Sequence, residues 1–530
     1  MFEFFSEKCT MHFALRLLLT GCFLLKLMAC SGTAPTPESP VPTSVLACQK
    51  TIQQATRERT VHRKGTAGFE MLAGGEEAYL ARLAAVEAAQ QTLDFQYFIW
   101  ADDATGTIFA ERLLAAADRG VKVRLLLDIT KGAQKEVKKG VLASHPNIEV
   151  ALFNPMTAFQ GFFAGNPLPI IGEIDRMQSR MHNKMLIADN AILIGGGRNL
   201  GDTYFGVDRK HNMRDLDYIA SGPVVNAATK SFNLYWESPL TRKVGPSETG
   251  DENEEKLVSL RRELRDKKLR LARKGDFPFP LKMARVEALQ RLNELSGKMV
   301  WDDYEFVADP PERMLSRTKE ASPVWRTKEG AIRGAKKEVL MHAAYLIPQE
   351  EVLGLFKETS DRGVKVRMLT NSLSSIDGLL AMTGIANRRK DILETGAEYY
   401  ELKSDAPVKK EYVRVSEDTL LGMHTKGLVV DNRISFIGSY NMDPRSKYIN
   451  TETGVIINSG GFAKRLKGYL LEDMQPENCW QVTCEEDGRF CWTCEMPGKP
   501  PVRHYRDPDV PLRKRISYWM LLHMPWENLL

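Results

Sequence analysis

Two copies of one short motif hold the residue types best suited to chemistry in this chain. Each copy has a histidine, a lysine and an aspartate spaced as HxKxxxxD, and the six residues are His182, Lys184, Asp189, His424, Lys426 and Asp431. The second copy follows the first by 424 − 182 = 242 residues. A bare His-x-Lys such as His62-Arg-Lys64 carries little weight, because so short a pattern often arises by chance. Two complete copies in one register therefore predict a functional constellation.

The residue types indicate chemistry on a phosphodiester. In a strand, His182 and Lys184 project from the same face, because side chains alternate. An imidazole can attack phosphorus or carry a proton near neutral pH, and ammonium and amide groups can hold phosphate oxygens. Asn199 in Gly-Gly-Arg-Asn and Asn441 in Gly-Ser-Tyr-Asn keep the same offset and supply the amides. If two halves of the chain face each other, one histidine becomes a nucleophile and the other protonates the leaving oxygen.

Each imidazole also needs a hydrogen-bond acceptor on its second nitrogen. Asp217 follows the first histidine and Glu452 follows the second, each at the start of a strand-like run. We expect each of these carboxylates to orient the histidine of its own half. The motif aspartates Asp189 and Asp431 are counted with the catalytic set, but each stands near a strand end before a turn. A structural role in the turn or in a salt bridge is therefore the alternative for them.

A longer repeat predicts the elements that position these residues. Asp118-Arg-Gly-Val-Lys-Val-Arg124 recurs letter for letter as Asp361-Arg-Gly-Val-Lys-Val-Arg367. Each copy ends an amphipathic helix pattern with a glycine and begins an apolar strand. Alternating helices and strands are typical of a mainly parallel sheet covered by helices. The sequence therefore predicts two homologous α/β halves.

Composition describes an ordinary globular protein of several domains. The chain has 530 residues, of which 43% are hydrophobic, and 73 Lys and Arg balance 68 Asp and Glu for a net charge of +5. This composition excludes a disordered chain and a disulfide miniprotein. This surplus of positive charge is too small to indicate binding of nucleic acid. Aromatic residues that could stack on bases are also not interleaved with basic residues, so we expect no nucleic-acid partner. Residues 261–274 hold eight basic and two acidic residues, which fits a solvated helix face or an anionic membrane surface.

The paired motifs and the segments that follow them resemble the phospholipase D superfamily. The stretches around 180–184, 196–205 and 437–446 are similar to bacterial cardiolipin synthases of the C type. The resemblance implies an α/β fold of two phospholipase D-like α/β/α halves around one shared active site, with no metal and no cofactor. It implies transfer of a phosphatidyl group to phosphatidylglycerol through a phosphohistidine, with phosphatidylethanolamine as a possible second substrate. His182 would be the nucleophile and His424 the general acid and base.

Phosphodiester chemistry alone leaves other substrates and acceptors open. Hydrolysis of phospholipids to phosphatidic acid is the first alternative, and a phosphodiesterase or endonuclease is the second. Two segments favour lipid: the apolar connection 154–179 before the first motif, and a C-terminus in which Arg513-Lys-Arg515 precedes Trp519 and Trp526. Basic residues beside Trp and Leu are typical of an interfacial membrane segment. A terminal helix that packs on the core remains the alternative. A partner protein is not indicated by any pattern.

The first 48 residues have the pattern of an export signal followed by a tether, and we do not expect them to belong to a folded domain. Residues 11–30 combine a basic start, an apolar run and small residues before Cys30, and the Pro/Ser/Thr-rich segment 31–42 reads as a tether. Cys30 is therefore a candidate for lipidation, with an uncleaved anchor or a cleaved signal as the alternatives. Either way, we expect a protein of the bacterial cell envelope, associated with the membrane and with its body in the periplasm.

Cysteines near the C-terminus suggest covalent cross-links. The turn signal Asp487-Gly488 would place Cys484 opposite Cys491, with Cys479 and Cys494 farther along the same ribbon. In an exported chain two disulfides are expected, with a zinc site or free thiols as alternatives.

The patterns divide the chain into five segments. These are residues 1–48 as signal or anchor with tether, 49–240 as the first half with its motif at 176–203, 241–300 as a charged helical insertion, 301–470 as the second half with its motif at 418–445, and 471–530 as the cysteine hairpin and interfacial C-terminus.

Overall fold

The structure of the chain is a computed structural model. It describes residues 51–52, 54, 63, 65–128, 141–155, 179–245, 250–275, 277–315, 320–416 and 418–522. All of these belong to one compact unit, Lys50–Leu530. The candidate lipidation residue Cys30, most of the apolar connection (156–178) and the last residues, 523–530, lie outside the described residues.

The strands of the first half are β1 (Ala67–Leu72), β2 (Thr92–Tyr97), β3 (Lys122–Asp128), β4 (Ile148–Phe153), β5 (Met185–Ala188), β6 (Ile192–Gly196), β7 (His211–Arg214), β8 (Asp217–Ser221) and β9 (Thr241–Val244). Those that follow are β10 (Val300–Ala308), β11 (Glu338–Ala343), β12 (Lys365–Asn371), β13 (Glu398–Leu402), β14 (Leu420–Met423), β15 (Lys426–Val430), β16 (Ile434–Gly438), β17 (Thr453–Asn458), β18 (Cys479–Cys484), β19 (Phe490–Cys494) and β20 (Val502–His504).

The helices are α1 (Gly75–Ala88), α2 (Ala104–Asp118), α3 (Pro223–Trp236), α4 (Gly250–Lys274), α5 (Arg285–Lys298), α6 (Pro323–Arg333), α7 (Glu350–Asp361), α8 (Leu379–Glu394), α9 (Lys409–Tyr412), α10 (Gly460–Asp473) and α11 (Leu512–Leu522). Short 3-10 turns cover Asp202–Tyr204 and Pro311–Leu315, and a π-helical turn covers Arg445–Ile449.

The two halves repeat one strand order. The first runs β4-β3-β2-β5-β6-β8-β1, and the second runs β13-β12-β11-β15-β16-β17-β10. In each, the first three strands are parallel and the fourth is antiparallel to its neighbour. Strands β1 and β10 then pair antiparallel and join the halves into one sheet of eighteen strands in the described part of the chain. The predicted fold of two homologous α/β halves is confirmed.

The exact sequence repeat builds the same corner in each half. Helices α2 and α7 both end at the repeated Asp-Arg-Gly, and the parallel strands β3 and β12 follow with the same pattern of burial. Gly120 and Gly363 have φ of +92° and +81°, a conformation that glycine adopts without strain and that ends a helix. The strands are buried on both faces, as parallel strands covered by helices are.

The predicted charged insertion is anchored on the first half. Helix α4 packs on α2 with Leu260 and Leu264 buried between them. Its Arg261 pairs with Asp118 at 2.7 Å and its Lys268 with Glu111 at 2.7 Å, so part of its basic surplus is matched within the fold. The sheet also extends past the expected boundaries: β9 pairs with β4 of the first half, and β18 pairs with β13 of the second.

The hairpin of β18 and β19 corrects the disulfide prediction. Thr483 faces Cys491 and Cys484 faces Phe490, so the two sulfurs point to opposite faces of the ribbon. The cause is a turn of three residues, 486–488, in which Gly488 has φ of +81°, in place of the two-residue turn expected. One extra residue in the turn shifts the register by one. All four thiols are free: Cys479, Cys484, Cys491 and Cys494.

Among the helices that the structure describes, none combines the length and the apolar character needed to cross a bilayer.

Candidate active site

Each motif histidine follows a residue that is held by the second parallel strand of its half. In the first half, Asp128 at the end of β3 accepts the main-chain N–H of Met181 at 2.8 Å. In the second, Asn371 at the end of β12 accepts the N–H of Met423 at 2.8 Å and donates to its carbonyl at 2.7 Å. The two histidines therefore stand at the carboxyl ends of the parallel strands, where open α/β sheets bind their ligands.

The orienting carboxylates come from the opposite halves. His182 Nδ1 lies 2.8 Å from Glu452 Oε2, and His424 Nδ1 lies 2.6 Å from Asp215 Oδ2. The main chain crosses in the same way, since His182 N donates to Thr451 O at 2.9 Å and His424 N to Arg214 O at 2.7 Å. All four side chains are buried. Neither half can orient its own histidine, so the two motifs form one shared site.

Asp217, expected to orient the first histidine, has another role. Its carboxylate accepts from Arg82 at 2.8 Å and lies 3.3 Å from Arg198, forming an ion pair that is wholly buried. The residue that orients an imidazole is Asp215, two positions earlier. Strand pairing shows why: Asp217 faces Gly196 as Gly454 faces Gly438. The counterpart of Glu452, two residues before Gly454, is therefore Asp215.

The motif aspartates also lie away from the imidazoles, which corrects their assignment to the catalytic set. Asp189 accepts the main-chain N–H groups of residues 90–92, and Asp431 accepts those of residues 336–338. Both have positive φ, 50° and 52°, as Asp tolerates in a turn. Each ties the turn after its motif strand to the start of β2 or β11. These hydrogen bonds fit the structural role in the turn that was the alternative for both aspartates.

The two motif lysines line the site. Lys184 Nζ donates to the carbonyl oxygen of His182 at 2.6 Å, and Lys426 Nζ donates to that of His424. Burial lowers the pKa of Lys184 to about 7 and that of Lys426 to about 8, with the positive charge of Lys426 adding to the effect on Lys184. A bound phosphate would restore both positive charges, because an anion within a few ångströms favours the ammonium form.

Two aromatic rings form walls beside the imidazoles. Phe98 packs edge-on to His182 with ring centroids 5.1 Å apart, and Tyr204 packs edge-on to His424 at 5.2 Å. Asn199 accepts the N–H of Ile99 at 3.2 Å through its side-chain oxygen. The corresponding oxygen of Asn441 is buried without a hydrogen-bond partner in the described structure. That oxygen is therefore available to accept a hydrogen bond from a ligand.

The two imidazoles differ in their electrostatics. Burial lowers the pKa of His182 well below its usual value, and Lys184 and Lys426 lower it further. Burial and Lys426 also lower the pKa of His424, but Asp215 opposes that effect. His182 is therefore a neutral imidazole near pH 7, the form that can attack phosphorus.

The pKa values of the two orienting carboxyl groups are shifted in opposite directions. Burial raises the pKa of Glu452 to about 7 even though Lys184 and two serine hydroxyls oppose the rise. Burial also acts to raise the pKa of Asp215, but His424, Lys426 and Arg198 outweigh it, and the pKa lies below the usual value. Asp215 thus stays ionised beside His424 and stabilises its imidazolium form.

Supporting residues that the sequence did not reveal complete the site. Ser446 Oγ donates to Glu452 Oε1 at 2.8 Å, and Ser439 Oγ donates to Oε2. Asp309 accepts the main-chain N–H of Glu452 at 3.0 Å. Ser439 stands inside the quoted Gly-Ser-Tyr-Asn, so its motif position was a signal, whereas Asp309 follows a strand with no motif around it. Among the described residues, no group of three or more His, Cys, Asp and Glu could hold a metal ion.

Comparisons with known proteins agree with this geometry. The family described as "Cardiolipin synthase, PLD-like domain" matches residues 83–236 and 330–474, each of which contains one HxKxxxxD motif. Cardiolipin synthase C of Escherichia coli (strain K12) is 31% identical over 474 residues, which cover 88% of this chain and 97% of that protein. An uncharacterized protein of Helicobacter pylori (strain ATCC 700392 / 26695) is 30% identical over 519 residues, covering 96% of each.

A solved structure supports the fold. The phosphatidylserine synthase of Haemophilus influenzae Rd KW20 superimposes with a TM-score of 0.52 at 11% identity, over 81% of this chain and 92% of that one. Two family segments with one motif each, a full-length relative above 30% identity and a site assembled from both segments lead to one conclusion. The chain belongs to the cardiolipin synthase-like enzymes of the phospholipase D superfamily.

Proposed function

We propose that the chain is a phosphatidyltransferase that makes cardiolipin by moving a phosphatidyl group to phosphatidylglycerol through a phosphohistidine. The observation that carries the proposal is the crossed pairing of two imidazoles with carboxylates of the opposite halves, at one site lined by two lysines. The relative named cardiolipin synthase C supports a phospholipid as the substrate. The mechanism follows in two steps.

In the first step, His182 Nε2 attacks the phosphorus of the donor lipid. A P–N bond forms while the P–O bond to the leaving alcohol breaks, and His424 gives its Nε2 proton to that oxygen. Glu452 holds Nδ1 of His182 and balances the positive charge that develops on the ring. Lys184 and Lys426 neutralise the phosphate oxygens, where negative charge increases in the transition state.

In the second step, the roles of His424 reverse. Neutral His424 removes the proton from a glycerol hydroxyl of phosphatidylglycerol, and that oxygen attacks the phosphorus. The P–N bond breaks, the new P–O bond completes cardiolipin, and His182 returns to its neutral form. Asp215, which stays ionised, stabilises the imidazolium that His424 becomes. The strongly lowered pKa of His182 supports its role as nucleophile.

The test compares lipid products. Detergent-solubilised full-length protein is incubated with phosphatidylglycerol, with and without phosphatidylethanolamine, and the products are resolved by mass spectrometry. His182→Ala is run in parallel, with His504→Ala, a histidine of the β18–β20 ribbon remote in sequence from both motifs, as the matched control. We expect cardiolipin from the native chain and from His504→Ala, and none from His182→Ala.

Two outcomes would replace the proposal. Phosphatidic acid without cardiolipin would mean that water is the acceptor and that the chain is a phospholipase D. Absence of any lipid product, together with His182-dependent cleavage of a nucleic acid, would make it an endonuclease.

We also propose that the enzyme works at the bacterial cell envelope, tethered through residues 1–48. The layout of the export signal and Cys30 supports this location. Cells that express the native chain or Cys30→Ser are labelled with a fatty acid. Label on the native chain alone would identify the lipidated residue, and label on neither would leave an apolar anchor in its place.

A further inference from the structure

Helix α11 exposes an apolar stripe that none of the described residues covers. Leu512 is 72% exposed, Ile516 51% and Met520 49%. The three are spaced by four residues, so they lie along one face of the helix, and Trp519 is exposed on the same face. Isolated exposed apolar residues are ordinary, but a continuous stripe on one helix marks an interaction surface.

The opposite face fixes the helix to the fold. Lys514 Nζ donates to the carbonyl oxygens of Ser374 and Ile376 at 3.2 and 2.9 Å. Tyr518 packs against a small core cluster that includes Ile347 and Ile376. The helix therefore has a defined orientation, and its exposed stripe points in a fixed direction.

Basic residues flank the stripe on the helix itself. Residues 512–522 include Arg513, Lys514 and Arg515 and no acidic residue, and the exposed Arg513 lies on one flank of the stripe. Arg515 lies on the other flank of the stripe and donates to the carbonyl oxygens of Val510 and Asp507. Apolar side chains flanked by cations fit the surface of a bilayer that contains anionic lipid.

The anchored face of helix α11 lies close to the site. Lys514 holds the segment 374–376, which begins three residues after Asn371. Asn371 in turn holds the main chain of Met423, the residue before His424. In the same segment, Asp377 accepts the hydroxyl of Tyr345 at 3.1 Å. Helix α11 thus packs on the rim of the site on the side of His424.

We propose that α11 is an interfacial helix that binds the surface of an anionic phospholipid bilayer through Leu512, Ile516 and Met520, and so holds the mouth of the site against the lipid. This inference rests on the proposed function, because a bilayer surface supplies the substrate. A helix of this kind inserts its apolar face about 5–10 Å into the boundary between head groups and acyl chains.

The test uses the full-length chain with Ile516→Glu and Met520→Glu combined. The matched control combines Leu234→Glu and Val286→Glu, which add the same charge at apolar residues that are 60% and 42% exposed on α3 and α5. Binding is measured by co-sedimentation with vesicles of phosphatidylglycerol and phosphatidylethanolamine, and with vesicles of phosphatidylcholine. Turnover is measured on the anionic vesicles and on short-chain phospholipid below its critical micelle concentration.

We expect the α11 variant to lose about tenfold or more in turnover of anionic vesicles and in the excess of its binding to them over its binding to phosphatidylcholine vesicles, because a charge at the interface opposes insertion. The proposed tether in residues 1–48 contributes to the binding of both kinds of vesicle and cancels in that comparison. Its turnover of monomeric short-chain lipid should equal that of the native chain, and the control should behave as native in every assay. An unchanged preference of the α11 variant for anionic over phosphatidylcholine vesicles, with unchanged turnover of the anionic vesicles, would overturn the proposal. So would a native dimer that the variant converts to a monomer, since a second copy would then cover the stripe. If the native chain binds vesicles through α11 yet turns over no lipid, the proposed function fails and the docking surface stands.

Discussion

The two halves of the site share one motif and one backbone path, yet they place their histidines in different electrostatic surroundings. His182 faces a carboxyl group with a pKa raised to about 7, and His424 faces a carboxylate whose pKa is lowered. A neutral imidazole beside Glu452 suits attack on phosphorus. An imidazole beside an ionised Asp215 suits the carrying of a proton.

Burial raises the pKa of Glu452, whereas His424 and Lys426 outweigh burial at Asp215, and one motif position adds to this difference. Arg198 in Gly-Gly-Arg-Asn occupies the place of Tyr440 in Gly-Ser-Tyr-Asn. The Arg198 guanidinium lies behind Asp215 and lowers the pKa of its carboxyl group. Tyr440 instead packs on Lys328, whose Nζ lies 4.7 Å from the ring centroid and whose pKa burial lowers to about 7. The cations that act on Glu452 are Lys184 and Lys426, and burial outweighs both of them.

The residue before Arg198 and the residue before Tyr440 also differ. Ser439 donates its hydroxyl to Glu452, whereas Gly197 stands at the same place beside Asp215. A Cβ at Gly197 would collide with Asp215 Oδ1. The two copies of the motif therefore differ in the residues that contact the orienting carboxylates, while their histidines and lysines are the same.

The largest effect should separate the two histidines. With a phosphatidyl ester of p-nitrophenol, whose leaving group needs no proton, His182→Ala should lose about 10⁴-fold or more in release of p-nitrophenol. His424→Ala should still release one equivalent and accumulate the phosphoenzyme. With a natural alcohol as leaving group, His424→Ala should lose about 10²- to 10⁴-fold. Stopped-flow absorbance and mass spectrometry of the intact protein measure both, and a phosphoenzyme in His182→Ala would reverse the roles.

The two carboxylates should differ next. Asp215→Asn removes an ionised group that stabilises the imidazolium, so kcat should fall by roughly 10²- to 10⁴-fold. Glu452→Gln replaces a group that is partly protonated near pH 7 and still offers an oxygen to His182, so the loss should be about tenfold. The kcat of both variants is measured by steady-state kinetics, with Asp217→Asn measured for comparison. Equal losses from Asp215→Asn and Glu452→Gln would show that the halves are electrostatically equivalent.

A third test places the serine of the second motif at the corresponding glycine of the first motif. Gly197→Ser should displace the Asp215 carboxylate and with it His424, and a displacement near 1 Å lowers kcat by about 10²-fold. Gly354→Ser is the control, because a Cβ at that helical glycine meets open space. The thermal midpoint of both variants is measured beside kcat. Native kcat in Gly197→Ser would mean that the glycine is not needed to position Asp215.

The smallest effect concerns the lysines. Their pKa values near 7 and 8 lie below the usual value, so each loses its positive charge in the free site as pH rises through that range. Binding of an anion then requires uptake of a proton, and the affinity for glycerophosphoglycerol should fall by up to about tenfold per pH unit for each lysine. Titration calorimetry from pH 6 to 9 measures it. Lys184→Arg, which keeps its charge, should flatten the fall between pH 7 and 8, and an unchanged slope would contradict the lowered pKa of Lys184.

Sequence reasoning predicted the fold because its repeat is long and its period is regular. The copied Asp-Arg-Gly-Val-Lys-Val-Arg segments fall on one helix end and one strand in each half, where local propensity and burial act together. It also placed both lysines beside their histidines, since that relation depends only on the alternation of a strand.

The contacts between each histidine and the carboxylate of the opposite half were not predicted from the sequence. Which carboxylate reaches His182 depends on how the halves dock, and no local pattern encodes docking. The difference between Asp215 and Asp217 depends on a register that a loop of different length in each half obscures. The prediction that Cys484 faces Cys491 was wrong for a similar reason. The turn of the hairpin has one residue more than expected, which places Cys484 on the other face of the ribbon.

The crossed pairing also ties the appearance of activity to the completion of synthesis. The two hydrogen bonds that orient the imidazoles join residues 270 and 209 positions apart in the chain. Contacts of such sequence separation form late in folding. A nascent or truncated chain that lacks Glu452 holds its first histidine without an acceptor for Nδ1. The contacts that orient the two imidazoles are therefore complete only when nearly the whole molecule has been made and both halves have closed.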